Sequence, residues 1–100
     1  MLLPRSKFLR CHSRHVPPGW AEVNGALERE FRFRDFAEAL AFINRVGEAA
    51  EAANHHPDVS IHWNTVKLRW WTHAKNAITE RDHELAARTN EILELGPAGA

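Results

Sequence analysis

A chain of 100 residues has room for one domain with a single modest core, burying roughly two-thirds of its unfolded surface. Its 44% hydrophobic and 26% charged residues are ordinary for a globular protein, and no apolar run approaches the roughly 18 to 20 residues that span a bilayer, which argues against disorder and against a membrane protein. Thirteen basic residues balance thirteen acidic ones, removing the electrostatic footprint of a nucleic-acid binder; the single Cys11 has no partner for a disulfide or a thiolate metal site, which points to a reducing, cytoplasmic compartment.

Residues 1–18 read as a basic, loosely ordered arm, since Arg5, Lys7, Arg10 and Arg14 precede the first acid, Glu22. That bias is also found in organellar transit peptides, the alternative address, although Pro4 and the shortness of the segment spoil a sustained amphipathic helix. Val16-Pro17-Pro18-Gly19 is a break, because two prolines donate no backbone hydrogen bond and hold the preceding residues extended. The folded domain is expected over residues 19–96, with a short tail at 97–100.

Trp20 to Val23, Asn24-Gly25 and Ala26 to Phe33 predict a β-hairpin, because Asn-Gly supplies the two positive-φ positions of a type I′ turn. Leu27, Phe31 and Phe33 share one face, with Arg29 breaking the alternation and snorkelling at its edge. Asp35 with Glu38 begins a helix expected from about Phe36 to Asn54, burying Phe36, Ala39, Leu40, Ile43, Val46, Gly47, Ala50 and Ala53 as one stripe. Pro57 forces His56 out of helical geometry, so the helix ends just before His55 and His56, with Glu51 one turn ahead of His55.

Val59, Ile61 and Trp63, then Val66, Leu68 and Trp70, predict a second hairpin turning at Asn64-Thr65. That turn pairs Trp63 with Val66, Ile61 with Leu68 and Val59 with Trp70, and its register puts His56 opposite His73, within reach of one small ligand. A slip of one residue would send His73 to the other face. Thr79 to Asp82 starts a last helix whose apolar stripe, Leu85, Ala86, Thr89, Ile92 and Leu93, runs to about Leu95, where Gly96-Pro97 stops it. Hairpin, helix, hairpin, helix predicts an α+β domain: an antiparallel sheet with helices on one face.

The chemistry concentrates between Glu51 and Asp82. Histidine exchanges protons near neutrality, its unperturbed pKa being about 6.5, and two or three around one pocket suit a reaction that removes a proton from one atom while delivering another to a leaving group. Plainer readings exist for each residue alone. Paired histidines at a helix end cap carbonyls or face water, Glu51 is a surface helix position, and Asp82 is the third residue of a capped helix. Trp63 and Trp71 flank a flat heterocycle or simply fill the core. A metal is disfavoured, because no carboxylate or cysteine stands at a recognised spacing from the histidines.

Spacing shifts the balance towards a site. Glu51-x3-His55-His56-Pro57-x5-Trp63-x9-His73-x8-Asp82 resembles the signature of the pterin-4a-carbinolamine dehydratases, and the likeness extends over Gly19-Trp20, Leu27, Phe31-Arg32-Phe33, Asp35-Phe36, Asn54 to Asp58, Thr72-His73 and Ile78-Thr79-Glu80. The resemblance implies a four-stranded antiparallel sheet and assembly into homodimers or homotetramers through strand edges and helices. It implies dehydration of 4a-hydroxytetrahydrobiopterin to the quinonoid dihydropterin in tetrahydrobiopterin recycling, with no cofactor and with a functional link to an aromatic amino-acid hydroxylase. On that basis His55, His56 and His73 are the expected catalytic residues, His56 and His73 doing the acid and base work and His55, oriented by Glu51, assisting. Glu51, Pro57, Asp58, Trp63, Trp71, Thr72 and Asp82 are expected to bind substrate or support the site. Two departures from the family's pattern stand out: a basic segment ending in Pro17-Pro18 where an acidic, leucine-rich helix is usual, and Lys75-Asn76-Ala77 where glycine-containing loops are common. The alternatives are a non-catalytic scaffold, such as a transcription-factor dimerisation cofactor, and a dehydratase of a different pterin. The intact histidine set favours the enzyme.

Overall fold

Asn24 and Gly25 take φ values of 49° and 82°, the left-handed pair that a two-residue hairpin turn needs, and so join β1 (Ala21–Val23) to β2 (Ala26–Arg32) as the sequence predicts. The computed structural model describes residues 16–95; the transit-peptide reading of residues 1–15, Cys11 and the stop at Gly96-Pro97 lie outside them. After β2 the chain continues through α1 (Phe36–Ala53), β3 (Asp58–His62), β4 (Thr65–Trp70) and α2 (Glu80–Glu94). The four strands form one antiparallel sheet in the order β1-β2-β4-β3, so the second hairpin packs β4 against β2 and leaves β3 at an edge.

Register builds the core. Leu27 pairs with Trp70 and Phe31 with Val66, so these side chains and Leu68 occupy one face of the sheet, where all are buried. Ala39, Phe42, Val46 and Ala50 of α1 and Leu85, Ala86, Thr89 and Ile92 of α2 are buried in the same core, so both helices cover that face. The result is the expected α+β layering. Among the described residues no helix is long and apolar enough to cross a membrane.

The buried stripe of α1 is rotated from the one expected. Phe36 is 46% exposed and Leu40 40%, while Phe42, absent from the predicted stripe, is buried. The helix is apolar over more than one stripe's width, and ring packing sets its phase: Phe42 lies 4.8 Å from Phe31 and 5.0 Å from Phe33, centroid to centroid. Arg29 behaves as expected at the edge of the apolar face. Its guanidinium lies 4.7 Å from the Phe31 centroid and donates to Asn90 Oδ1 and to the Pro18 carbonyl. Asn90 Oδ1 also accepts from Trp20 Nε1 at 2.9 Å, so the residues around the Pro17-Pro18 break are tied to α2.

The second hairpin corrects the predicted register. Its loop is Trp63-Asn64, not Asn64-Thr65, and Ile61 pairs with Val66 and Val59 with Leu68. The cause lies outside the hairpin. Phe33 N–H donates to the Asn64 carbonyl at 2.8 Å and Asn64 Nδ2 donates to the Phe33 carbonyl at 2.8 Å, which extends the β2–β4 ladder by one pair and holds Asn64 in it. Trp63 must then make the turn, at φ 56°. The displacement keeps each side chain on its expected face, but it brings Trp71, not His73, level with His56.

Candidate active site

Helix α1 ends by placing Asn54 in the left-handed region, φ 54°, which turns the His55 N–H back onto the Ala50 carbonyl at 3.1 Å. Arg81 at the start of α2 donates to the Ala53 carbonyl and pins the same helix end. That turn separates two adjacent histidines. His55 points inward, its side chain 11% exposed, while the His56 side chain is 54% exposed, and Pro57 then starts the extended run into β3.

Each imidazole meets its own carboxylate. His55 Nε2 lies 2.7 Å from Oδ1 of Asp82, a fully buried residue, and its ring lies parallel to that of Trp70, within 7° at 6.0 Å. His56 Nε2 lies 2.8 Å from Glu51 Oε2. The expected Glu51–His55 pairing is therefore corrected: the left-handed Asn54 breaks the one-turn spacing and brings His56 over Glu51. An ionised carboxylate only accepts, so each Nε2 is the donor and a neutral imidazole keeps its free lone pair on Nδ1.

Asp82 is more than the cap residue of α2. Its Oδ2 accepts from the Thr79 N–H at 2.8 Å, in the manner of a capping box, and from the Thr72 hydroxyl at 2.8 Å. Because the Thr72 proton is committed there, the Thr79 hydroxyl, 2.7 Å away, donates to Thr72 Oγ1. One buried carboxylate thus joins the start of α2, the end of β4 and His55. With every donor matched, the network fixes the His55 ring.

His73 arrives from the segment after β4, where Thr72 and Ala77 exchange backbone hydrogen bonds at 2.9 and 3.4 Å and close a tight loop. A cavity of about 230 Å³ is lined by Asn54, His55, His56, Trp71, Thr72, His73 and Ala74. All three predicted histidines therefore meet at one cavity, by a different route from the predicted pairing. It is smaller than the roughly 300–1,000 Å³ usual for drug-sized ligands and suits one small ring system. A wider groove of about 790 Å³ between α1 and β3, lined by residues including Ile43, Gly47, Pro57 and Val59, shares Glu51 and His56 with this region but reaches neither His55 nor His73.

Of the predicted supporting residues, Trp71 and Thr72 line the cavity, Asp82 and Glu51 hold histidines, and Asp58 accepts from Trp71 Nε1 at 2.9 Å. Pro57 borders the wider groove. Trp63 does not join them: it sits in the β3–β4 turn, 64% exposed. Asn54 and Ala74 line the cavity without having been singled out as site residues; the signal for Asn54 was its place at a helix end, where asparagine readily turns left-handed. Among the described residues no group of three or more histidine, cysteine, aspartate or glutamate side chains is arranged to hold a metal ion.

The profile of the family described as Pterin 4 alpha carbinolamine dehydratase matches residues 6–92. The chain is 47% identical over 74 residues to a protein of Koribacter versatilis, covering 74% of this chain and 79% of that one. It is 49% identical over 75 residues to a protein of Thermomicrobium roseum, covering 75% and 81%. Both relatives are provisionally named as pterin-4-alpha-carbinolamine dehydratases. Among solved structures, the chain resembles a Brucella melitensis protein described as a transcriptional coactivator/pterin dehydratase, with a TM-score of 0.73 and 35% identity over 76% of this chain and 83% of that one. It shares its fold, with a TM-score of 0.61 at 20% identity over 81% and 93% of the two chains, with a pterin dehydratase-like protein described as a RuBisCO assembly factor in the alpha-carboxysome. With residues 6–92 matched by the family profile and identities near one half to its relatives, the chain belongs to the pterin 4 alpha carbinolamine dehydratase family.

Proposed function

We propose that the protein is a hydro-lyase that dehydrates a 4a-hydroxytetrahydropterin to the quinonoid dihydropterin by histidine acid/base catalysis. One observation carries the reading: in a chain of this family, His55, His56 and His73 line a single small cavity, and two of them are held by carboxylates through Nε2. In the reaction the C4a–O bond breaks as the hydroxyl takes up a proton and leaves as water. The proton on N5 is removed, and its bonding pair forms the N5–C4a double bond. Two proton-transfer groups suffice, so no redox cofactor or oxidant enters the balance.

His56 and His73, the more exposed two, share the transfers at the 4a hydroxyl and at N5. His55, fixed by Asp82 and stacked on Trp70, orients the ring through Nδ1. Glu51 supports His56 rather than His55, so replacing it should affect proton transfer more than the placing of His55. The proposal includes self-association, supported by the exposed apolar side chains Phe36 and Leu40 on α1 and Val59 on the edge strand β3. Freshly generated 4a-hydroxytetrahydropterin mixed with the purified protein should lose water faster than in buffer, followed by its ultraviolet spectrum. Equal rates with and without protein would exclude the reading.

A further inference from the structure

Two of the three histidines are held by carboxylates, Asp82 for His55 and Glu51 for His56. Among the described residues none hydrogen-bonds the His73 ring, and the one ring against it is that of Trp71, at a centroid distance of 4.0 Å and an interplanar angle of 34°. The exposed loop that carries His73 is closed by backbone hydrogen bonds within residues 72–77 and by the Thr72–Thr79 hydroxyl pair, none of which touches the imidazole. Left to that loop, the imidazole would sample several rotamers.

Trp71 itself is fixed. Trp70 faces the helices and is fully buried, so by strand alternation the next residue projects from the opposite face. Asp58, the first residue of β3, pairs with Arg69, which makes Trp71 its diagonal neighbour across the ladder. Asp58 Oδ2 accepts from Trp71 Nε1 at 2.9 Å. The indole N–H is the ring's only polar group, so this bond sets the rotation of the ring as well as its position. The indole is half-buried and forms a wall of the cavity it shares with the three histidines.

We infer that Trp71, locked by Asp58, is the positioning residue for His73, serving that histidine as Asp82 and Glu51 serve the other two. The difference in chemistry has a consequence. A carboxylate occupies a ring nitrogen, whereas an indole face leaves both nitrogens of His73 free for substrate. The inference rests on the proposed dehydratase activity for its catalytic consequence, but the Trp71–His73 contact can be tested without any substrate.

The experiment combines NMR of ring-labelled histidine with steady-state kinetics, the His73 signal being assigned from its absence in His73→Gln. In the wild-type protein the indole ring current displaces the His73 ring resonance. That displacement should vanish in Trp71→Leu and diminish in Asp58→Ala, and should largely return in Asp58→Asn, which keeps an acceptor for the indole N–H. The His55 resonance serves as a control and should stay unchanged in all three variants. Dehydration by Asp58→Ala should show kcat lowered by up to about a hundredfold with KM little altered, as expected when a reacting group is misplaced, and Asp58→Asn should recover most of it. Should Trp71→Leu fail to fold, the Asp58 pair carries the test alone. A His73 resonance unmoved in Asp58→Ala, or a loss in Asp58→Ala that Asp58→Asn does not repair, would overturn the inference. If the wild type dehydrates no pterin while the resonances move as described, the functional reading fails and the positioning of His73 by Trp71 stands.

Discussion

Asp82 is the residue on which the most of the site depends. It is fully buried and its two oxygens face the His55 ring, the Thr79 backbone and the Thr72 hydroxyl. Removing it strands buried donors, each costing about 1–3 kcal/mol, so Asp82→Ala should lower unfolding free energy by about 3 kcal/mol or more in urea titrations. Dehydratase activity should fall in parallel. An unchanged urea midpoint would show that the network contributes nothing. The sequence made Asp82 legible as a helix cap and His55, His56 and His73 legible as a set. It could not show which acid holds which histidine, because that depends on a single backbone angle: with Asn54 left-handed, the helical spacing from Glu51 to His55 no longer applies.

At the scale of elements, the hairpin at Asn24-Gly25, the start of α1 at Asp35 and the start of α2 at Thr79 were all readable, because each rests on local chemistry that few alternatives satisfy. The second hairpin was not, since its register depends on the distant Phe33 backbone holding Asn64. The phase of α1 was missed for a related reason: Phe42 rather than Phe36 meets the aromatic side chains of β2 and of Phe33 just beyond it. The register leaves a signature in Trp63, a bulky residue at φ 56° with its side chain largely in solvent. The left-handed conformation costs a side-chain-bearing residue about 1–2 kcal/mol, and glycine gives back part of the relief as chain entropy. Trp63→Gly should therefore raise stability by about 0.5–1 kcal/mol, measured by urea unfolding. A destabilised variant would mean that the indole makes contacts worth more than the strain.

For the whole molecule, the four-stranded sheet carries its helices on one face, and apolar side chains stay exposed on α1, at Phe36 and Leu40, and on edge strand β3, at Val59. Light scattering should give a dimer or tetramer of the 11.4 kDa chain, and Leu40→Glu, which puts a charge among the exposed apolar side chains of α1, should shift the mass towards the monomer. A wild-type mass of one chain would exclude self-association. The fold brings the end of α1, the start of α2 and the segment after β4 to one place, and the three histidines meet there. We propose that this meeting performs a dehydration. It is tested most directly by comparing wild type and His73→Ala on freshly generated 4a-hydroxytetrahydropterin, with circular dichroism confirming that the variant is folded. The variant should be slower by at least about a hundredfold, the usual contribution of one acid/base group; a folded His73→Ala that dehydrates the pterin at the wild-type rate would rule this out.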